Sequence, residues 1–316
     1  MGALELIILT AVMAGVTYGA GVIPLNWKVM ELKLNYLSTF SMGMLMGTSV
    51  LLVIPEGVKS LYDAIADDSR DVAGSIIGFS LFLGFVLLYI LDNFVTFANA
   101  LGASQLSESW KPVIDVDIGS EVNSQQQQQY QQQPKNKLLT IAKLVFQESL
   151  TVGLLVHAGV DGISLGSTFA STTSSFKMVF FVALIIHKIP ASFSLTTILA
   201  RLGMPHNIIK IHLLLFALST PFSGILSYLI IQIFRLTSGP YIGVLLLFSG
   251  GTFLYVVIHV IIEVSAPKEV APPSSSHSEE TLQQYHTHKT SLSGPEFICS
   301  LIGMLVPILL SFIKDE

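Results

Sequence analysis

Charge is what this sequence lacks. Only 12% of its 316 residues are Asp, Glu, Lys or Arg, against about 25% in an ordinary soluble domain. Cysteine is nearly absent as well. The lone Cys299 excludes an intramolecular disulfide and, inside an apolar run, reads as a small hydrophobe. Basic residues form no stripe and the net charge is −5, which excludes a nucleic-acid binder. What the chain has in quantity is apolar surface: 51% hydrophobic residues and a mean hydropathy of +0.68. The few charges are confined to short stretches between long apolar runs. A disordered chain, a collagen-like fibre and a soluble enzyme are excluded. A polytopic, all-α membrane protein remains, with the lipid bilayer as its first partner.

A helix needs about 20 apolar residues to cross a bilayer. Eight windows qualify: 3–24, 38–55, 73–96, 144–170, 177–200, 208–234, 240–264 and 296–313. Glu5 stands where a secretory signal would carry Lys or Arg, so the first window reads as a retained span. Eight spans place both termini on one side. With the termini outside the cytosol, ten Lys and Arg fall in cytosolic loops and five on the opposite side. The positive-inside bias therefore favours non-cytosolic termini. The organisation expected is three spans in 1–98, a Gln-rich disordered cytosolic loop in 99–137, and five spans in 138–316. The polar loop 266–295 interrupts the last part and carries His277, His286 and His288. A weak internal repeat relates Gly43 and Glu56 in the second span to Gly250 and Glu263 in the seventh, each pair thirteen residues apart.

An ionisable side chain deep in a span is costly, about 2.5–3.5 kcal/mol on insertion scales, and marks a purpose or a partner. The fourth span holds His157 and Asp161 four residues apart, on one helix face. Imidazole and carboxylate side by side make a two-ligand bite for a divalent metal; a simple bond between the two is the competing reading. Gly162 and Gly166 follow at a spacing that lets another helix approach closely. The fifth span holds His187 and Lys188 just before Pro190, whose ring frees a carbonyl near residue 186. The seventh carries His259 and Glu263, the second Pro55 and Glu56, and these acids read equally as interfacial groups or as points along an ion path. Asp92 reads as an interfacial anchor, and His206 and His212 as flanks of a short connection. The nitrogen and carboxylate donors suit zinc, iron or manganese without separating them.

Together these residues resemble the ZIP (Zrt/Irt-like) family of divalent-metal transporters. The resemblance rests on eight spans with a long variable third loop. It includes the His-x-x-x-Asp-Gly of the fourth span, the His-x-Ile-Pro of the fifth, and the Gly-rich run ending in Ile-Pro-Glu in the second. The Phe-Leu-Tyr-Val segment of the seventh completes it. The His-Lys-x-Pro-Ala of the fifth span is most similar to the Golgi-located branch, which includes fungal manganese-homeostasis proteins and animal zinc transporters. The resemblance implies a ZIP-like bundle that passes manganese or zinc from the Golgi lumen or the outside into the cytosol. The metal is cargo, and no resident cofactor is expected. His157, Asp161 and His187 would form the central metal site, with Lys188, Pro190, His259, Glu263 and Glu56 along the path.

The sequence departs from the family's two-metal pattern. Ala158, Lys188, Ala191 and Ser192 stand where further ligands are common, and Thr220 stands where some members have Glu. The first metal position keeps its residues and the second loses them. Lys188 would then take the place of the second cation, or it would snorkel toward a cytosolic cavity. Protonation of His157 or His187 offers a route to release, since imidazole titrates near neutral pH. Two other classes compete: an intramembrane metal-dependent hydrolase, and a membrane receptor that binds metal without moving it. A homodimer is an assembly the residues leave open.

Overall fold

Long apolar stretches fold as helices because their backbone groups have no water to bond within a bilayer, and ten helical elements occur among the described residues. The computed structural model describes residues 2–26, 29–65, 70–94, 145, 148–171, 174–234, 241–265 and 292–314, and no strand occurs among them. The helices are α1 (Gly2–Asn26), α2 (Val29–Thr48), α3 (Ile54–Ala64), α4 (Arg70–Asp92), α5 (Ser149–Ser171), α6 (Ser174–Arg201), α7 (His206–Phe234), α8 (Tyr241–Ser265) and α9 (Gly294–Lys314). A π-helical turn, Ser49–Val53, joins α2 to α3 and makes the tenth. Among the described residues seven helical runs are long and apolar enough to cross a membrane, and α9 supplies a shorter apolar stretch, Gly294–Leu309. They follow the order of the eight expected spans.

The second span departs most from expectation. The window 38–55 stops at Pro55, but the helical run continues from Lys33 to Ala64. Proline lacks the N–H of one ladder bond, and the π turn just ahead of Pro55 absorbs the mismatch without ending the helix. Glu56 therefore lies well inside the run rather than at its end. The fourth span starts at Ser149, later than the expected 144. The Gln-rich stretch 99–137 and the three histidines of 266–295 lie outside the described residues. At the far end of that polar loop, the Ser293 N–H and hydroxyl both donate to Glu296 Oε2, at 2.9 and 2.8 Å. The Glu296 carboxylate thus reaches back to the N-cap N–H of α9, the acidic half of a capping box.

The surface is inverted relative to a soluble protein. Leu4, Ile7 and Val12 on α1, Phe79 and Phe82 on α4, and Phe222, Ile230 and Ile233 on α7 are all exposed. The interior joins apolar clusters, around Leu154, Leu195 and Phe253 and around Leu165 and Phe180, with many buried polar groups, among them Ser38, Thr39, Ser41, Thr48, Ser192, Ser194 and Ser249. Lipid solvates the exposed set, while the buried polar groups must bond within the bundle.

Helices approach closely where glycine removes a side chain. A Cβ on Gly162 would lie 2.5 Å from the Thr220 carbonyl oxygen, and one on Gly166 2.2 Å from that of Gly224. The Gly162/Gly166 spacing implies a close approach by another helix, and that helix is α7. Gly43 and Gly303 do the same between α2 and α9, as do Gly84 and Gly251 between α4 and α8. The sequence repeat does not carry over into packing at its Gly end. Gly43 meets the backbone of Ser300, whereas Gly250 meets only side chains at 3.4 Å or more. Its neighbour Gly251 makes the close approach in α8.

Gly251→Ala places a methyl 2.0 Å from the Leu81 carbonyl oxygen and is expected to cost about 1–3 kcal/mol by overpacking. Gly74→Ala, with nothing within 4 Å, is expected to leave stability unchanged or slightly raised. Thermal unfolding of the two variants in detergent checks the contrast.

Candidate metal centre

One carboxylate sits at the middle of the bundle. Asp161 lies near the midpoint of α5 and His187 and Lys188 near the midpoint of α6. The four-residue spacing in α5 brings His157 to the same face, one turn back. Asp161 Oδ2 is 3.4 Å from His157 Nε2, 3.2 Å from His187 Nε2 and 3.4 Å from Lys188 Nζ. All four side chains are 5% exposed or less. One ligand atom from each of His157, Asp161 and His187 falls within 4.8 Å of the others. Among the described residues this is the one such group of three.

Two further helices, α8 and α7, hold this arrangement. Ser249 of α8 donates its hydroxyl to Asp161 Oδ1 at 2.6 Å and lies 2.7 Å from His157 Nδ1. Phe253, one turn further along α8, packs against the His157 ring with centroids 4.5 Å apart. Phe216 of α7 lies under Lys188, whose Nζ is 5.1 Å from the ring centroid, a cation–π contact. Thr220 bonds the Ala158 carbonyl at 2.8 Å, so the residue before Pro221 ties α7 to α5. Two buried nitrogens of the site, His157 Nε2 and Lys188 Nζ, have no hydrogen-bond partner. Buried polar atoms without partners are rare. Here both face the carboxylate.

A model of the ZIP zinc transporter family matches residues 3–311. The chain belongs to the ZIP family. Among its relatives, the zinc transporter ZIP9 of Xenopus tropicalis is 29% identical, with 93% of this chain and 92% of that protein aligned. The ZIP9 zinc transporter of Micropogonias undulatus is also 29% identical, over 93% of both chains. That of Macaca fascicularis is 35% identical over 51% of this chain and 65% of its own. As a ZIP protein the chain is a membrane transporter of divalent metal ions.

Against this ZIP background, the residues singled out in the sequence divide into three groups. His157, Asp161, His187 and Lys188 come together. Pro190 is buried within an unbroken α6. His259, Glu263 and Glu56 do not reach the centre. Lys188 does not snorkel: it is 2% exposed and its ammonium points inward to Asp161. Ala158, Ala191 and Ser192 are fully buried and pack where further ligands are common in the family.

A second network lies at the other end of α8. Asp92 accepts hydrogen bonds from Ser149 and Tyr255, and its Oδ2 is 3.6 Å from His259 Nδ1. Glu148 and Glu263 stand close enough to interact with each other, and Glu148 also with Asp92. Asp92, the last residue of α4, is therefore also a hub joining α4, α5 and α8. His212 also departs from expectation. It is fully buried, with Nδ1 2.6 Å from the Thr151 hydroxyl. Sequence reasoning missed Ser249 as well: in the apolar run Leu-Leu-Leu-Phe-Ser-Gly-Gly a hydroxyl can bond its own helix, so it carries a weaker signal than a histidine there.

Removing Asp161 leaves Lys188 buried without its counter-ion, which typically costs about 3–5 kcal/mol. Asp161→Ala is expected to unfold at a clearly lower temperature than the parent. Asp161→Ala/Lys188→Met, which removes both charges, is expected to recover most of the loss in the same thermal assay.

Proposed function

We propose that this ZIP protein carries manganese or zinc into the cytosol, from the Golgi lumen or the outside, through one site built from His157, Asp161 and His187. The bundle would sit in the Golgi membrane with both termini on the non-cytosolic side. What supports the site is the convergence of three ligand atoms within 4.8 Å, fully inside the bundle, with a His157 Nε2 that has no other partner. Two imidazoles and a carboxylate bind zinc or manganese while leaving coordination positions open. Such a site exchanges part of the ion's water for protein ligands yet releases it, as transport requires. Zinc is the metal named for the ZIP9 relatives, and the donor set serves manganese equally. His259, Glu263 and Glu56 are secondary positions along the path. Pro190, two residues after Lys188, sits in α6 where backbone carbonyls are freed.

Lys188 limits the site to one ion. Its ammonium, 3.4 Å from Asp161 Oδ2, takes the electrostatic place of a second divalent cation and repels one that approaches.

The test is uptake into proteoliposomes with manganese, zinc, iron and cadmium in parallel. Saturable flux of manganese or zinc is expected, abolished in His157→Ala, Asp161→Ala and His187→Ala. Binding without flux of any ion would favour a receptor, and metal-dependent cleavage of lipid amides a hydrolase. One ion bound per wild-type chain and a second in Lys188→Glu is the expected stoichiometry. A Lys188→Glu variant that still binds one would contradict the role given to Lys188.

A further inference from the structure

His157 has two ring nitrogens in different surroundings. Nδ1 lies 2.7 Å from the Ser249 hydroxyl and 3.2 Å from the Ser249 carbonyl oxygen. Nε2 is buried and makes no hydrogen bond. A carbonyl only accepts, so the neutral ring carries its proton on Nδ1 and keeps a lone pair on Nε2. The Ser249 oxygen then accepts from Nδ1–H as well, and its own single hydrogen is free for another acceptor. Asp161 Oδ1 at 2.6 Å takes it, in the range of a charge-assisted O–H···O⁻ bond. The competing His157 carbonyl is farther, at 3.4 Å.

The bonds therefore run in one direction, from His157 Nδ1–H to the Ser249 hydroxyl and from that hydroxyl to Asp161 Oδ1. Their effect falls on the opposite sides of both groups. His157 Nε2 and Asp161 Oδ2 are left 3.4 Å apart. Both are acceptors, and both are turned toward His187 and Lys188. Two acceptors at that distance repel each other and are reconciled by a cation that both can ligate.

We propose that Ser249, on α8, is a positioning residue for the metal site on α5. It fixes His157 in the tautomer that presents Nε2 as a ligand, and it occupies Asp161 Oδ1 so that Oδ2 faces the ion. The inference rests on His157 and Asp161 being metal ligands. Outer-shell partners of this kind are worth about 10–100-fold in metal affinity. Because the Ser249 carbonyl remains in any substitution, the tautomer survives loss of the hydroxyl, whereas the anchoring of Asp161 does not.

Two measurements test it. Zinc affinity of purified protein, read by chelator competition, is expected to fall about 10–100-fold in Ser249→Ala, with recovery in Ser249→Thr, which keeps the hydroxyl. Nitrogen NMR of histidine-labelled protein in lipid, assigned with His157→Gln, is expected to show protonated Nδ1 and bare Nε2 for His157 in the parent without metal. A proton on Nε2 in the parent, or an unchanged zinc affinity in Ser249→Ala, overturns the proposal. A parent that shows the expected tautomer yet binds neither zinc nor manganese overturns the metal-site reading instead, a separate failure.

Discussion

A single carboxylate buried at the middle of a lipid-facing bundle sets the terms for everything around it. Asp161 cannot shed its charge into water, so the chain must bring compensation to it. It does so from three helices. α5 itself supplies His157, α6 supplies His187 and Lys188, and α8 supplies the Ser249 hydroxyl. For those groups to reach one oxygen pair, backbones must come close, and glycine makes that approach available. Gly162 and Gly166 seat α5 on α7, and Gly251 seats α8 on α4. Between α5 and α8 themselves, Gly153 leaves room for Val256, whose Cγ2 an added Cβ would meet at 2.6 Å.

The helix α8 links the centre to a second polar region. Ser249 touches the central carboxylate, and His259, ten residues on, lies about 15 Å further along the same helix, beside Asp92. Tyr255 and Ser149 complete that second hub, which joins α4, α5 and α8. A displacement of α5 against α8 would break the Ser249 bonds at one end and the Ser149–Asp92–Tyr255 contacts at the other. The two regions thus share the α5–α8 contact.

Much of this was legible in the sequence, for a physical reason. Lipid forbids unpaired backbone, so long apolar runs must be helices, and their order along the chain follows directly. Histidine and aspartate at four-residue spacing must share a face, and charges at membrane depth must have partners. That logic reaches His157, Asp161, His187 and Lys188. It does not reach the choice between a Lys188 that snorkels and one that turns inward. That choice depends on Phe216 and Asp161 lying across helix contacts. Nor does it reach Ser249, because a hydroxyl in an apolar run bonds its own helix as readily as a neighbour. The apolar window 38–55 ended too early, because the π turn ahead of Pro55 carries the helix past the apolar run to Ala64.

The central claim is that His157, Asp161 and His187 ligate the transported ion together. X-ray absorption at the zinc edge, on purified protein given less than one equivalent of zinc, tests it most directly. A first shell of nitrogen and oxygen with the multiple-scattering signature of two imidazoles, reduced to one imidazole in His187→Ala, is the predicted result. A shell of oxygen alone, or one that His187→Ala leaves unchanged, would contradict it.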